Sequence, residues 1–304
     1  MNLDLQRILV GISLGADVTT ELEVTDLDRR AFENALWLAK QVGAKLRLHH
    51  SIDWLGMAAV AAAPDLVSAA TEQALGRLGA LVEEAAHEGV PAEPTVGFGP
   101  PRGELLRVAE SWRADCVVVG PRAHSQDLIG RMTYGSTARA LARQSPCSVW
   151  VVAPQSHVGF KRPLFLVDLS PVSEELVELG EWMLARLGAE LELLHCVDFP
   201  ADIALRRFPN DRQAIKGHHT EILKAARVRV LALLGDAASS WCWSIKDDWI
   251  VRVGPKLAEE HESDLLVIAG TSKPGLAGKF LGSTAAKVIG RSSVSTLVVK
   301  PQRR

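Results

Sequence analysis

Nothing in this sequence is long and apolar enough to serve a membrane. The longest hydrophobic runs are strand-sized, well short of the roughly 20 residues a spanning helix needs, so no membrane span is expected. Residues 1–12 hold one short apolar stretch and no cleavage pattern, which argues against a signal peptide. Cysteine is sparse. Cys116, Cys147, Cys196 and Cys242 are scattered with no C-x-x-C pairing, and read as small hydrophobes in a reducing cytosol rather than as metal or redox ligands. Charge of one sign is not in excess: Lys and Arg total 34 against 36 Asp and Glu. Without a basic stripe, a nucleic-acid partner is not expected. Nucleophile–base pairs at readable spacing and zincin motifs are missing too. His124 and Asp127, with His49 and His50 on a neighbouring strand, make a weak metal constellation whose plainer reading is loop polarity plus a partly buried histidine.

What the chain does have is a repeat. Residues 37–46, WLAKQVGAKL, match residues 182–191, WMLARLGAEL, at an offset of 145, which also pairs His50 with His195 and Asp53 with Asp198. Further on, Gly135-Ser136-Thr137-Ala138 matches Gly282-Ser283-Thr284-Ala285 at an offset of 147, which carries through to Pro154 and Pro301. Two blocks in one order at nearly one offset mark a duplication. The expected domains are residues 1–154 and 160–304, joined by a short polar linker that contains Gly159.

Each copy runs strand, helix, strand, helix, strand, helix, strand, helix, strand. The first helix has apolar residues at helical spacing (Ala35, Leu36, Leu38, Ala39, Val42) and Gly43 as its stop. Residues 46–52 alternate as a half-buried strand. Residues 116–119 and 265–269 are apolar throughout, as strands covered on both faces are. Alternating strands and helices imply right-handed crossovers and a parallel sheet. The predicted fold class is therefore α/β, two doubly wound parallel-sheet domains in tandem. Ligands of such sheets bind at the carboxyl ends of the strands. The last strands, 149–152 and 296–299, should be edges that pair with each other or across a dimer, because an unpaired apolar edge invites aggregation. Trp241 and Trp243 lie on one strand face and are expected in the core.

At those carboxyl ends the second copy reads Val167-Asp168-Leu169-Ser170 after its first strand. After its fourth it reads Gly270-Thr271-Ser272-Lys273-Pro274-Gly275, then Gly282-Ser283-Thr284. This resembles the universal stress protein family, once per half. Its members open with a strand ending in Asp and carry G-x2-G-x9-G-[S/T] after the fourth strand. The first copy resembles the tandem, type-E members in Ala123-His124-Ser125-Gln126-Asp127. The resemblance implies a cytoplasmic stress-response protein that binds ATP or another adenine nucleotide, with Mg beside the phosphates, in some members only. It also implies a pseudo-dimer of the two domains, or a homodimer. The candidate nucleotide contacts are Asp168, Val197, Gly270, Lys273, Gly275, Gly282, Ser283 and Thr284. Their chemistry suits the role. Glycines let main-chain N–H groups approach phosphate, a helix start favours an anion, and a carboxylate accepts from ribose or holds a divalent ion.

Both copies depart from that pattern. Lys273 and Ala123 replace the second glycine, Ser13 stands where Asp would be, and the loop is one residue short in the second copy and two too long in the first. The first copy is therefore expected to be degenerate. Two readings stay open: a nucleotide-binding regulator, and a nucleotide-independent scaffold or binder of an apolar, lipid-like ligand. An enzyme, at most a slow ATPase, lacks an evident general base.

Overall fold

Apolar segments that must hide two faces become the inner strands of one continuous sheet. The structure is a computed structural model, and describes residues 5–14, 24–53, 64–120, 136–197, 212–270 and 283–300. Its first half contains β1 (Arg7–Gly11), α1 (Asp26–Val42), β2 (Lys45–Ile52), α2 (Pro64–His87), β3 (Ala92–Phe98), α3 (Pro101–Ser111), β4 (Cys116–Val119), α4 (Ser136–Gln144) and β5 (Ser148–Val151). The second repeats it with β6 (Pro163–Val167), α5 (Val172–Leu187), β7 (Leu191–Cys196), α6 (Arg212–Leu234), β8 (Trp241–Lys246), α7 (Ile250–Glu260), β9 (Leu265–Ala269), α8 (Ser283–Ile289) and β10 (Ser295–Val299). A 3₁₀ turn, Gly235–Ser239, leads into β8.

Local sequence explains the boundaries. Thr25 caps α1, its hydroxyl accepting from the Asp28 N–H at 3.2 Å, and Asp26 and Asp28 sit in the first turn, where the helix dipole favours acids. Both repeat helices stop at a left-handed glycine, Gly43 (φ 71°) and Gly188 (φ 63°), a conformation that costs an L side chain energy.

The strand order is β3-β2-β1-β4-β5-β10-β9-β6-β7-β8. Within each half the pairings are parallel, and where the halves meet β10 runs antiparallel to β5, with Leu297 opposite Trp150. The two outer strands of the separate halves thus close each other's edge. The junction has a pseudo-twofold: the Ala153 N–H donates to Ser295 Oγ (3.0 Å) and the Lys300 N–H to Ser148 Oγ (3.1 Å).

Apolar cores fill both faces and run through both halves. One holds Phe32, Leu46, Leu48, Trp150, Phe165, Met183 and Trp241; the other holds Leu9, Val117, Leu141, Val149, Leu164, Leu266 and Val298. Trp243 packs against the first, as expected of a strand-face tryptophan. Phe160, just past the linker, meets Trp37 and Trp150 edge-on at centroid distances of 5.1 and 5.9 Å. The linker itself is stitched to α1: buried Asn34 accepts from the Gly159 N–H at 3.0 Å, and Arg30 donates to the Ser156 carbonyl at 2.7 Å. Cys116 and Cys147 are buried, Cys196 is half-buried and Cys242 exposed, all as free thiols.

One device of the repeat is silent in the sequence. Asp115 Oδ2 accepts the N–H groups of Gln6 and Arg7, both at 2.9 Å, and Asp264 accepts those of Lys161 and Arg162 at 2.6 and 3.0 Å. Each carboxylate ties the start of its half's first strand to the strand beside it. Because charge-assisted bonds to partly exposed N–H groups are modest, Asp115→Ala should cost about 2 kcal/mol in urea unfolding. Asp115→Asn should recover part of that loss.

Candidate functional site

Parallel strands deliver their carboxyl ends to one rim of the sheet, and the crossover loops open there. In the second half, β6 lies between β7 and β9, with Val167 opposite His195 and Leu166 opposite Ile268. Asp168 and Gly270 therefore end neighbouring strands, and Val197 ends the next one, its N–H donating to the Lys246 carbonyl at 2.9 Å. Thr284 is exposed in the first turn of α8, which Ser283 begins. Lys273, Gly275 and Gly282 lie outside the described residues, as do His124 and Asp127.

Asp168 has two jobs to divide between two oxygens. Oδ1 accepts from the Ser170 N–H (3.0 Å) and the Ser173 hydroxyl (3.2 Å), closing the turn into α5. Oδ2 makes no hydrogen bond among the described residues, and the side chain is exposed. Behind it, His195 Nδ1 donates to the Val167 carbonyl at 3.0 Å. Burial lowers the pKa of this imidazole, against the opposing pull of that bond.

The first half repeats the frame with different chemistry. Equivalent bonds (Asp115 N–H to the Arg7 carbonyl, Asp264 N–H to that of Arg162) set Ser13 at the position of Asp168. His50 Nδ1 meets the Ile12 carbonyl at 3.0 Å, as His195 meets that of Val167. Here a cleft of about 500 Å³, its open mouth included, is lined by Gly11, Ser13, Asp28, His49, Ser51 and Thr137 among others. The His49 imidazole in its lining is held between two hydroxyls. His49 Nδ1 lies 2.9 Å from Thr95 Oγ1 and Nε2 lies 3.2 Å from Ser51 Oγ. A hydroxyl can donate or accept, so both nitrogens are satisfied with the ring neutral. Burial holds it so: the His49 pKa falls to about 4, although Glu104 pulls the other way. Among the described residues no three His, Cys, Asp or Glu side chains gather as metal ligands.

The fourth strands differ by one residue. Cys116 faces Ser148 and Leu265 faces Ser295, so Gly120 corresponds in register to Ala269, and Gly270 is one residue further on. The two glycines consequently serve different neighbours. A Cβ on Gly120 would stand 2.8 Å from the Leu27 carbonyl oxygen, where the first turn of α1 crosses the strand end. A Cβ on Gly270 would stand 2.9 Å from Cδ of Lys300. That lysine, buried at 4% exposure, had no signal in the motif, because it lies on the following strand's end and not in the glycine loop.

The fold and this rim define a class: tandem, doubly wound α/β proteins whose two halves share one sheet. The sequence model of the universal stress protein family matches residues 6–153 and again 159–300. The chain belongs to that family. It is 24% identical to universal stress protein E of Escherichia coli K12, over 91% of each chain, and 24% identical to universal stress protein E of Salmonella typhi, over 90% of each. The solved structure of a universal stress protein from Archaeoglobus fulgidus shares the fold, with a TM-score of 0.67 at 19% identity, covering 98% of this chain and 99% of that one. Among the described residues no helix is long and apolar enough to cross a membrane.

Proposed function

We propose that the chain is a stress-response regulator that binds an adenine nucleotide, with Mg, in the cleft of residues 160–304, and acts through partner or dimer contacts. The observation that carries this reading is the placement of Asp168, with one carboxylate oxygen uncommitted, beside glycine-ended β9. A carboxylate and a glycine at neighbouring strand ends suit ribose and phosphate. Val197 and Thr284 flank the same rim, and Lys273, Gly275, Gly282 and Ser283 join them by their place in the loop sequence. Since β5 and β10 already pair within the chain, a homodimer would use another surface.

A second reading has its own support. Asp168 Oδ1 is spent on the turn into α5, and both loops lack their second glycine, which favours a nucleotide-independent scaffold or an apolar ligand. Mass spectrometry of acid extracts, followed by calorimetric titration of ATP with Mg, separates the two. About one nucleotide per chain, with binding lost in Gly282→Val, supports the first. No nucleotide in the extracts and no heat at millimolar ATP sinks it and favours the second.

A further inference from the structure

Among the described residues, β3 and β8 are the two ends of the sheet, each paired on one side only. The repeat makes them equivalents. Leu46 faces Ala92 as Leu191 faces Trp241, so Pro94 corresponds to Trp243. Hydrogen bonds fix which main-chain groups look outward. The Pro91 carbonyl and the Gly99 N–H bond to β2, and the groups alternate sides along a strand, so those of Ala92, Pro94 and Val96 face away from β2. The Lys246 carbonyl accepts from Val197, so Trp241, Trp243 and Ile245 present their N–H and C=O groups on the outer side of β8. The two edges differ at the matching position. Pro94 removes an outward donor and sets its ring in the way, which blunts β3. On β8 a tryptophan stands there, and the row of outward groups from Trp241 to Ile245 is unbroken.

Such a row is a template for a further strand, and the residues of β8 fit a second copy of themselves. Antiparallel pairing about a twofold at Trp243 sets Trp243 opposite Trp243, Trp241 opposite Ile245 and Cys242 opposite Ser244. Every outward group from Trp241 to Ile245 is then met, and the cross-strand pairs on the core side are aromatic or β-branched. Lys246 falls opposite Ser240, so no like charges meet. A shift of two residues one way would put Asp247 against Trp241. The other way would put Ile245 against Ser239, in the 3₁₀ turn. The chain already joins two equivalent strands in this manner, β5 and β10 running antiparallel with α4 packed on α8 beside them. At β8 the neighbouring helix is α6. Its Arg227 sits over the Trp243 ring at 4.8 Å. One turn on, Leu231 is 39% exposed and Val228 beside it 67%, which leaves apolar surface where a second α6 would lie. We propose that two chains pair through β8, edge to edge, and extend two ten-stranded sheets into one. This deepens the dimer contacts of the function proposed above and rests on that reading, but does not involve the nucleotide.

Trp243→Pro copies the blunted edge of the other half and removes no hydrogen bond to β7. In sedimentation at about 100 μM the wild type should be a dimer. Trp243→Pro should be a monomer with unchanged circular dichroism, its self-affinity reduced at least about a hundredfold. Ser244→Cys tests the register. Among the described residues the buried Ser244 Oγ has no partner, so a thiol there costs no hydrogen bond. In the proposed pair it faces Cys242 at a non-hydrogen-bonded position, with Cα atoms about 4.5 Å apart, within disulfide reach. Under oxidised glutathione a disulfide-linked dimer should form in Ser244→Cys and not in the wild type, and should vanish when Cys242→Ser is added. If Trp243→Pro does not fold, this cross-link decides, and its absence overturns the proposal. A dimer that persists in folded Trp243→Pro overturns the β8 edge and leaves dimerisation to another surface. A wild type that stays monomeric overturns the β8 pairing and the dimer contacts together. ATP binding is read separately, by the calorimetry above.

Discussion

Trp150→Ala is expected to lower the stability of the whole chain by about 4 kcal/mol, the range for deleting a buried aromatic. Trp150 is 2% exposed and sits on β5 opposite Leu297 of β10. Its ring also meets Phe160, which in turn meets Trp37. One deletion therefore opens a cavity where the two halves join, both through the sheet and through the linker. Urea unfolding followed by circular dichroism should show the midpoint falling. A second transition should emerge as the halves uncouple, since cooperativity depends on that shared core. Trp150→Phe is the control. Among the described residues the buried indole N–H has no partner, so replacing it removes an unsatisfied donor while keeping an aromatic ring. Its cost should be about 1 kcal/mol or less. Equal losses in the two variants would show that the ring stack contributes nothing.

Acid should weaken the first half through His49. The ring ionises near 6.5 when unfolded and at about 4 when folded. Between those values the unfolded chain binds the extra proton, so stability rises with pH there and falls as pH drops. The window runs from about pH 6.5 down to 4, and the full loss, at 1.36 kcal/mol per pKa step, is about 3 kcal/mol. At pH 7 the group contributes no pH dependence. Denaturant midpoints measured at pH 7, 5.5 and 4.5 should decline in the wild type and decline less in His49→Gln. Glutamine keeps hydrogen-bonding capacity toward Thr95 and Ser51 but does not titrate. Parallel curves for the two proteins would mean that His49 is not the group responsible.

Much of this fold could be read from residue order. The matching runs at 37–46 and 182–191, the alternation at 46–52 and the unbroken apolar run at 265–269 report local periods of 3.6 and 2, and those are properties of short segments. The expected pairing of residues 149–152 with 296–299 follows from the same source, since an apolar edge must find a partner. The site was legible only in part. Asp168 and Gly270 end adjacent strands as the motif implied. The expectation of a degenerate first copy did not reveal that its cleft is lined by His49 and Ser51, nor that Thr95 holds the imidazole, since Thr95 arrives from a strand 46 residues away.

Residue order alone carries the two doubly wound α/β halves, the places where their strands and helices fall, and the family they belong to. Repeats and hydrophobic periods are written in neighbouring residues, and helix caps and glycine stops are read within one turn. Packing sets the rest: Ser148 and Ser295 bind across a pseudo-twofold, Asp115 and Asp264 tie strands together, and β9 is a residue longer than β4. It alone put the Lys300 ammonium stem over Gly270 and left His49 neutral. Those outcomes depend on which strands become neighbours and on how much water each side chain loses. Neither quantity exists until segments more than a hundred residues apart have packed together.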